Sequence, residues 1–293
     1  MAGAGRDEAV VTAGVSNARI APGQFARRLG LAIGLVVVPV MAAGFVASWL
    51  AKATGVEPGW LAPPAVILVA VVAYRFYVLR IEQRPVTELS GVGAWRETGA
   101  GVLVGAALFA TVIGVLAAAG AYAIVGRGPW GGVAAAFVAS ATAAVVEEII
   151  FRGILFRLVE SAFGSLIAIV VSGAIFGGLH VLSPHPTVAG LVAIALEAGI
   201  LLACAYVLTR RLWFAMGMHG AWNFMQGGIF GAAVSGTPSK GLFIGTLSGP
   251  EWLTGGVFGP EASVVSIVAC LAAAAVIARL AWRHGRFVPR RRR

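Results

Sequence analysis

This sequence predicts an all-α polytopic membrane protein of about eight transmembrane helices. Three observations carry that reading. Hydrophobic residues make up 59% of the chain and charged ones only 12%, too apolar for an ordinary soluble domain. Apolar runs of about 18 residues or more recur, each long enough to cross a hydrocarbon core of ~30 Å. The basic residues gather at alternate ends of those runs, as the positive-inside rule requires.

The runs fall at 29–51, 61–79, 98–125, 131–157, 165–182, 187–208, 212–232 and 262–282. The first follows a polar stretch, is long for a signal-peptide core and has further spans behind it, so it stays in the membrane. The organisation expected is a cytosolic tail over 1–28, an eight-helix domain over 29–283 with a catalytic core at 131–230, and a basic tail over 284–293. An even number of spans puts both termini on one side. With the N-terminus inside, only Lys52, Arg127 and Lys240 of the 22 basic residues lie outside. The arrangement predicted is therefore N-in/C-in, in the inner (cytoplasmic) membrane. The net charge of +10, including the terminal "VPRRRR", reads as topology and contact with anionic lipid rather than nucleic-acid binding.

Between the runs, "RIEQRPVTELSGVGAWRETG" (80–99) reads as an interfacial inner loop, and the Gly-, Pro- and Ser-rich segment 232–261 as an irregular or re-entrant outer one. Glycines four apart, as in Gly30/Gly34, Gly101/Gly105, Gly173/Gly177 and Gly227/Gly231, are read as close helix packing. Cys204 and Cys270 lie inside apolar runs with no disulfide or zinc spacing and are read as packing residues.

The chemistry-bearing residues are few. In "ASATAAVVEEIIFRGILF" (139–156), Glu147, Glu148 and Arg152 interrupt an otherwise apolar helix, where each charge costs about 2.5–3.5 kcal/mol at mid-bilayer. His180, Glu197, His219 and Asn223 stand on the next three runs. Glu148 and Arg152 are i, i+4 and within salt-bridge reach, whereas Glu147 is rotated ~100° away and has no local partner. Phe176 with His180, and His219 with Asn223, also share a helix face at i, i+4. Glu197 has no such partner and is read as support. Each residue alone could be interhelical glue; together they supply a carboxylate, two imidazoles and an amide to one place.

That set suits hydrolysis by activated water. Glu147, unpaired in a partly dry site, is the candidate general base, with His180 beside it. His219 and Asn223 would donate hydrogen bonds to the oxyanion. The same residue types also allow a divalent ion, Zn(2+), held by Glu147, His180 and His219. No serine or cysteine stands at helical spacing from either histidine, and no His-Glu-x-x-His helix exists. Depth along the helices brings Glu147 and His180 together only if the fourth helix is overlong, about 30 residues against a ~30 Å core, and projects with the start of the fifth as a hairpin.

"EEIIFRG", "FGGLH" and "HGAWN", in this order on successive spans, resemble the CPBP intramembrane protease family, which holds CAAX prenyl endopeptidases and bacterial Abi-type proteins; "RPVTEL" is similar to that family too. The resemblance covers chiefly 131–230. It implies an eight-helix fold with a cavity open toward the cytosol. It assigns water activation to Glu147 and His180, the oxyanion to His219 and Asn223, and structural support to Glu148 and Arg152. The family has been described both as metalloproteases and as metal-free glutamate proteases, so both mechanisms stay open. The substrate implied is a membrane-associated or lipidated protein or peptide. The Ala-, Gly- and Arg-rich composition points to a high-GC bacterium, where prenylated substrates are not expected. The alternatives are a non-catalytic scaffold or bacteriocin self-immunity protein and, third, a proton-coupled transporter, disfavoured because the polar groups line no path to both faces.

Overall fold

The computed structural model describes residues 22–54 and 58–290. The first 21 residues of the expected N-terminal tail and the last three arginines lie outside that range. Among the described residues seven helices are long and apolar enough to span a membrane: α1 (Gly23–Thr54), α2 (Ala62–Glu82), α3 (Ala94–Ala118), α4 (Trp130–Phe163), α5 (Ser165–Leu182), α6 (Val188–Thr209) and α8 (Val264–Arg283). The eighth expected run forms a shorter helix, α7, an α-helix over Trp213–Asn223 that continues as a wide-turn π-helix over Phe224–Ile229 and is not among those seven. It is an inner helix, with Ala215–His219, Ala221 and Trp222 all buried.

The overlong fourth helix is there, with α4 running 34 residues without a break. Its middle, Ile149–Phe156, widens to π-helical turns, as do Ala195–Gly199 in α6 and the end of α7. Such turns insert an extra residue and re-aim the side chains around them. These three adjoin ionisable or polar candidates, Glu148 and Arg152, Glu197, and Asn223, while two more such turns, Ile33–Val37 and Val78–Glu82, lie away from them.

α3 and α7 touch backbone to backbone. A Cβ built on Gly101 would lie 2.2 Å from the Phe214 carbonyl oxygen, one on Gly105 2.2 Å from that of Met218, and one on Gly217 2.3 Å from that of Thr98. Gly177 of α5 meets the Leu191 oxygen of α6 in the same way, at 2.4 Å. These glycines confirm the packing role expected for Gly101/Gly105 and Gly173/Gly177. Gly30 and Gly34 face nothing within 4 Å and have no such role.

The all-α expectation needs one correction. Tyr122–Arg127 (β1) pairs antiparallel with Phe243–Leu247 (β2). The apolar "AYAIV" had extended the third span to residue 125, but Gly120 takes a left-handed φ of 72° and ends the helix before it. β1 then continues as a strand of β-branched and aromatic residues.

The two ends of the bundle differ in charge. At one end Arg84 and Arg157 share Glu82 and Glu88, Arg210 binds Glu160 and the Arg286 carbonyl, and Arg211 binds Glu97. There α4 and α5 join through Gly164, which has a φ of 88°, and the hairpin is held by the tail. The Ser165 amide donates to the Val288 carbonyl at 3.0 Å and the Val288 amide donates to Ser165 Oγ at 2.8 Å. At the other end lie the β-sheet and the loops 183–187 and 230–263, whose basic residues are Arg127 and Lys240.

Gly105→Val is expected to force α3 off α7 and destabilise the protein by about 1–3 kcal/mol. Gly114→Val, on the same helix with nothing within 4 Å, should leave the melting temperature in detergent unchanged. Equal melting curves for the two variants would refute the close-packing role.

Candidate active site

A cavity of about 830 Å³ lies between α4, α5, α6 and α7 and reaches the loop 234–240 and Glu261. Glu147, His180, His219 and Asn223 all line it, so the structure brings together the four residues that the motifs single out. Glu197 lines it too, together with Glu261 and Cys270, which the sequence reading left out of the site.

Glu148 sits beneath the cavity and is fully buried. Its Oε1 accepts a hydrogen bond from Arg152 Nη1 at 2.9 Å, the i, i+4 pair expected from the sequence. The same oxygen lies 3.0 Å from His219 Nδ1, a contact between residues 71 apart that helical spacing could not show. A carboxylate only accepts, so His219 carries its proton on Nδ1 and turns Nε2 toward the cavity. There Nε2 lies 3.8 Å from Glu147 Oε2. Arg152, also fully buried, spends a second nitrogen on the backbone oxygens of Ala198 and Gly199, at 2.9 and 3.3 Å. Those carbonyls sit in and beside the widened turn of α6, so the arginine locks α4 to α6.

Phe176 organises the rest. Its ring stacks edge-on with Phe151, at 4.8 Å between centroids, and with His180 at 5.0 Å, while His219 stands at 6.2 Å. The Arg152 guanidinium lies over its face at 4.8 Å. His180 ends α5, and its Nδ1 is 2.8 Å from the Phe176 carbonyl oxygen. A carbonyl accepts, so Nδ1 holds the proton and Nε2 is left to accept one. Glu147 keeps a side chain 32% exposed, whereas Glu148 is wholly enclosed. Two adjacent glutamates thus have opposite situations: one enclosed between Arg152 and His219 Nδ1, the other open to the cavity with only His219 Nε2 near it.

Glu261 marks the far wall. Its Oε1 accepts from the Ser235 amide at 2.5 Å, and burial pushes its carboxyl up to about 7. Its place at the end of a Gly- and Pro-rich loop gave no periodic signal.

The zinc alternative needed Glu147, His180 and His219 as one ligand set. Among the described residues no three His, Cys, Asp or Glu side chains are grouped to hold a metal ion. His219 and His180 each engage Nδ1 with an oxygen and leave Nε2 free, the arrangement in which a histidine can ligate, and His219 Nε2 stands 3.8 Å from Glu147 Oε2.

Ser183, Pro184, Val234, Thr237, Lys240 and Glu261, from the end that carries the β-sheet, complete the cavity wall.

Residues 128–225 match the family model described as type II CAAX prenyl endopeptidase Rce1-like, in agreement with the resemblance drawn from the three motifs. No curated protein matches the chain. The matched segment holds every residue of the three motifs, while the wall at 230–263 lies beyond it. The match supports a multi-pass membrane protein and, in general terms, a CAAX-type intramembrane endopeptidase with a peptide or protein substrate.

Arg152→Ala is expected to leave Glu148 buried without its cation and to destabilise the protein by about 3–5 kcal/mol. Thermal unfolding in detergent checks this. A shift no larger than that of Arg283→Ala, at the exposed end of α8, would count against the buried pair as the anchor of the site.

Proposed function

We propose that the chain is an intramembrane endopeptidase that hydrolyses a peptide bond with water activated by Glu147 and His180. The observation that supports this most is the contrast between the two neighbouring glutamates. Glu148 is held by Arg152 and His219 Nδ1, whereas Glu147 faces the cavity with no arginine of its own and only His219 Nε2, at 3.8 Å, near it.

In this reading, water lies between the Glu147 carboxylate and His180 Nε2. Glu147 removes its proton as the oxygen attacks the scissile carbonyl carbon. The resulting oxyanion takes hydrogen bonds from the Asn223 amide and His219 Nε2. Because Nδ1 already donates to Glu148, donation from Nε2 requires the doubly protonated ring, with a glutamate on either side. Collapse of the tetrahedral intermediate breaks the C–N bond, and the amine leaves with the proton held on Glu147. Phe176 and Phe151 keep the imidazoles oriented, and the apolar walls limit bulk water. The substrate is a membrane-associated or lipidated protein or peptide, and the enzyme sits in the inner membrane with its arginine-rich end in the cytosol.

Glu147→Gln is expected to fold and melt as the wild type does, yet to lose hydrolysis of a quenched membrane-peptide library by at least about 100-fold, in the range of a lost general base. Chelation should leave the wild-type rate unchanged. Normal turnover by Glu147→Gln would overturn the assignment, and activity abolished by chelator and restored by zinc would replace it with a metalloprotease. Wild-type protein inert toward the whole library would favour the scaffold or immunity reading.

A further inference from the structure

We infer that Glu197 and Glu261 form a cation subsite in the cavity wall, which takes an ammonium or guanidinium group of the substrate peptide. The inference deepens the reading above and rests on it, since it takes the cavity to be where a peptide is cut.

The first observation is a contrast among the buried acids. Five glutamates are buried among the described residues: Glu88, Glu148, Glu160, Glu197 and Glu261. The first three carry an arginine each, Arg84, Arg152 and Arg210 respectively. Glu197 and Glu261, each 1% exposed, have no lysine, arginine or histidine nitrogen within salt-bridge distance among those residues. These two line the cavity, and the three with arginines do not. A carboxylate buried in a bilayer without a countercharge is expensive, and ionisable groups kept there mark the path of an ion or a substrate.

Local structure brings the two acids together. Glu197 stands in the middle of the widened turn Ala195–Gly199, which packs on α8. Glu261 lies in the short turn Pro260–Ala262 just before α8. That turn packs on Val188–Ile194, the stretch of α6 that leads into the widened turn. The two carboxyls are within coulombic reach of each other.

They are not held alike. Glu261 is fixed by the Ser235 amide on its Oε1. Glu197 Oε2 is enclosed and accepts from no group among the described residues. Arg152 touches the same turn only through the Ala198 and Gly199 carbonyls, and its ion pair is with Glu148. Two carboxylates so placed repel each other, and a cation shared between them turns that repulsion into attraction. An ammonium or guanidinium suits them because it offers several N–H donors to several oxygens at once. Ile194 and Leu201, one turn to either side of Glu197, also line the cavity and suit the aliphatic stem of a lysine or arginine. At about 830 Å³ the cavity has room for that side chain beside the backbone that carries it.

The test uses the full chain in detergent and hexapeptides blocked at both ends, with Lys, Arg, norleucine or citrulline at each position in turn. Binding is measured on Glu147→Gln protein and cleavage on the wild type. At the position that meets the subsite, Lys and Arg peptides are expected to bind and to be cut at least about tenfold better than their norleucine and citrulline counterparts. Glu197→Gln and Glu261→Gln should each bring that ratio close to one, with melting curves reporting their folding. A neutral series with a free amino terminus separates the two sources of an ammonium group: a preference confined to it assigns the subsite to the terminus rather than to a side chain. Absence of any charge preference in every series overturns the inference, and the ratio needs neither Gln variant at these two positions to be read. A preference that survives in both folded variants overturns it too. Cleavage without charge preference leaves the endopeptidase reading standing and removes the subsite. Charge-selective binding with no cleavage by the wild type does the reverse.

Discussion

Everything in the site depends on one carboxylate that is itself shut away from the cavity. Glu148 Oε1 receives both Arg152 and His219, and each of those carries a further element with it. Arg152 reaches α6 through two backbone oxygens and lies over the Phe176 ring of α5; His219 brings α7. Four helices are therefore registered on a single buried oxygen. Such an arrangement is costly to bury and costly to break, because removing either partner leaves a charge in a medium that cannot solvate it. The benefit is orientation: the His219 ring is given one direction, with Nδ1 on Glu148 and Nε2 toward the cavity, and Arg152 offsets the charge of Glu148 beneath it.

The glycines of α3 and the widened turns serve the same end by different means. α7 can sit deep enough to offer His219 to Glu148 only because Gly101, Gly105 and Gly217 let two backbones approach closely. Where the helices must instead turn a side chain off the regular 3.6-residue pitch, the ladder widens, at Ile149–Phe156, Ala195–Gly199 and Phe224–Ile229. Close contact and local unwinding thus place side chains that helical periodicity alone would send elsewhere.

How much of this was legible in the sequence follows from the range of each interaction. The Glu148–Arg152 pair, the Phe176–His180 pair and the length of α4 were readable because i, i+4 spacing and apolar run length are local properties. The Glu148–His219 contact was not, since it spans 71 positions. The β1 strand was missed because an apolar run does not announce where a left-handed glycine ends its helix. Glu261 was missed because its loop has no period. The zinc alternative was open because the residue types suffice for it, and spacing along the chain does not say how three side chains on different helices meet.

The pairing of Val288 with Ser165 has a consequence for how the protein is made. The hairpin that carries Glu147 and His180 is pinned by a residue 123 positions downstream of its turn, and the Glu261 wall also follows both helices. During synthesis α4 and α5 leave the ribosome long before either arrives. Until then the two helices are in the membrane with their base unpinned and one wall of the cavity missing. Only when Val288 emerges does the compartment around Glu147 take its full form, so the cavity is a late product of folding rather than a feature of the nascent hairpin.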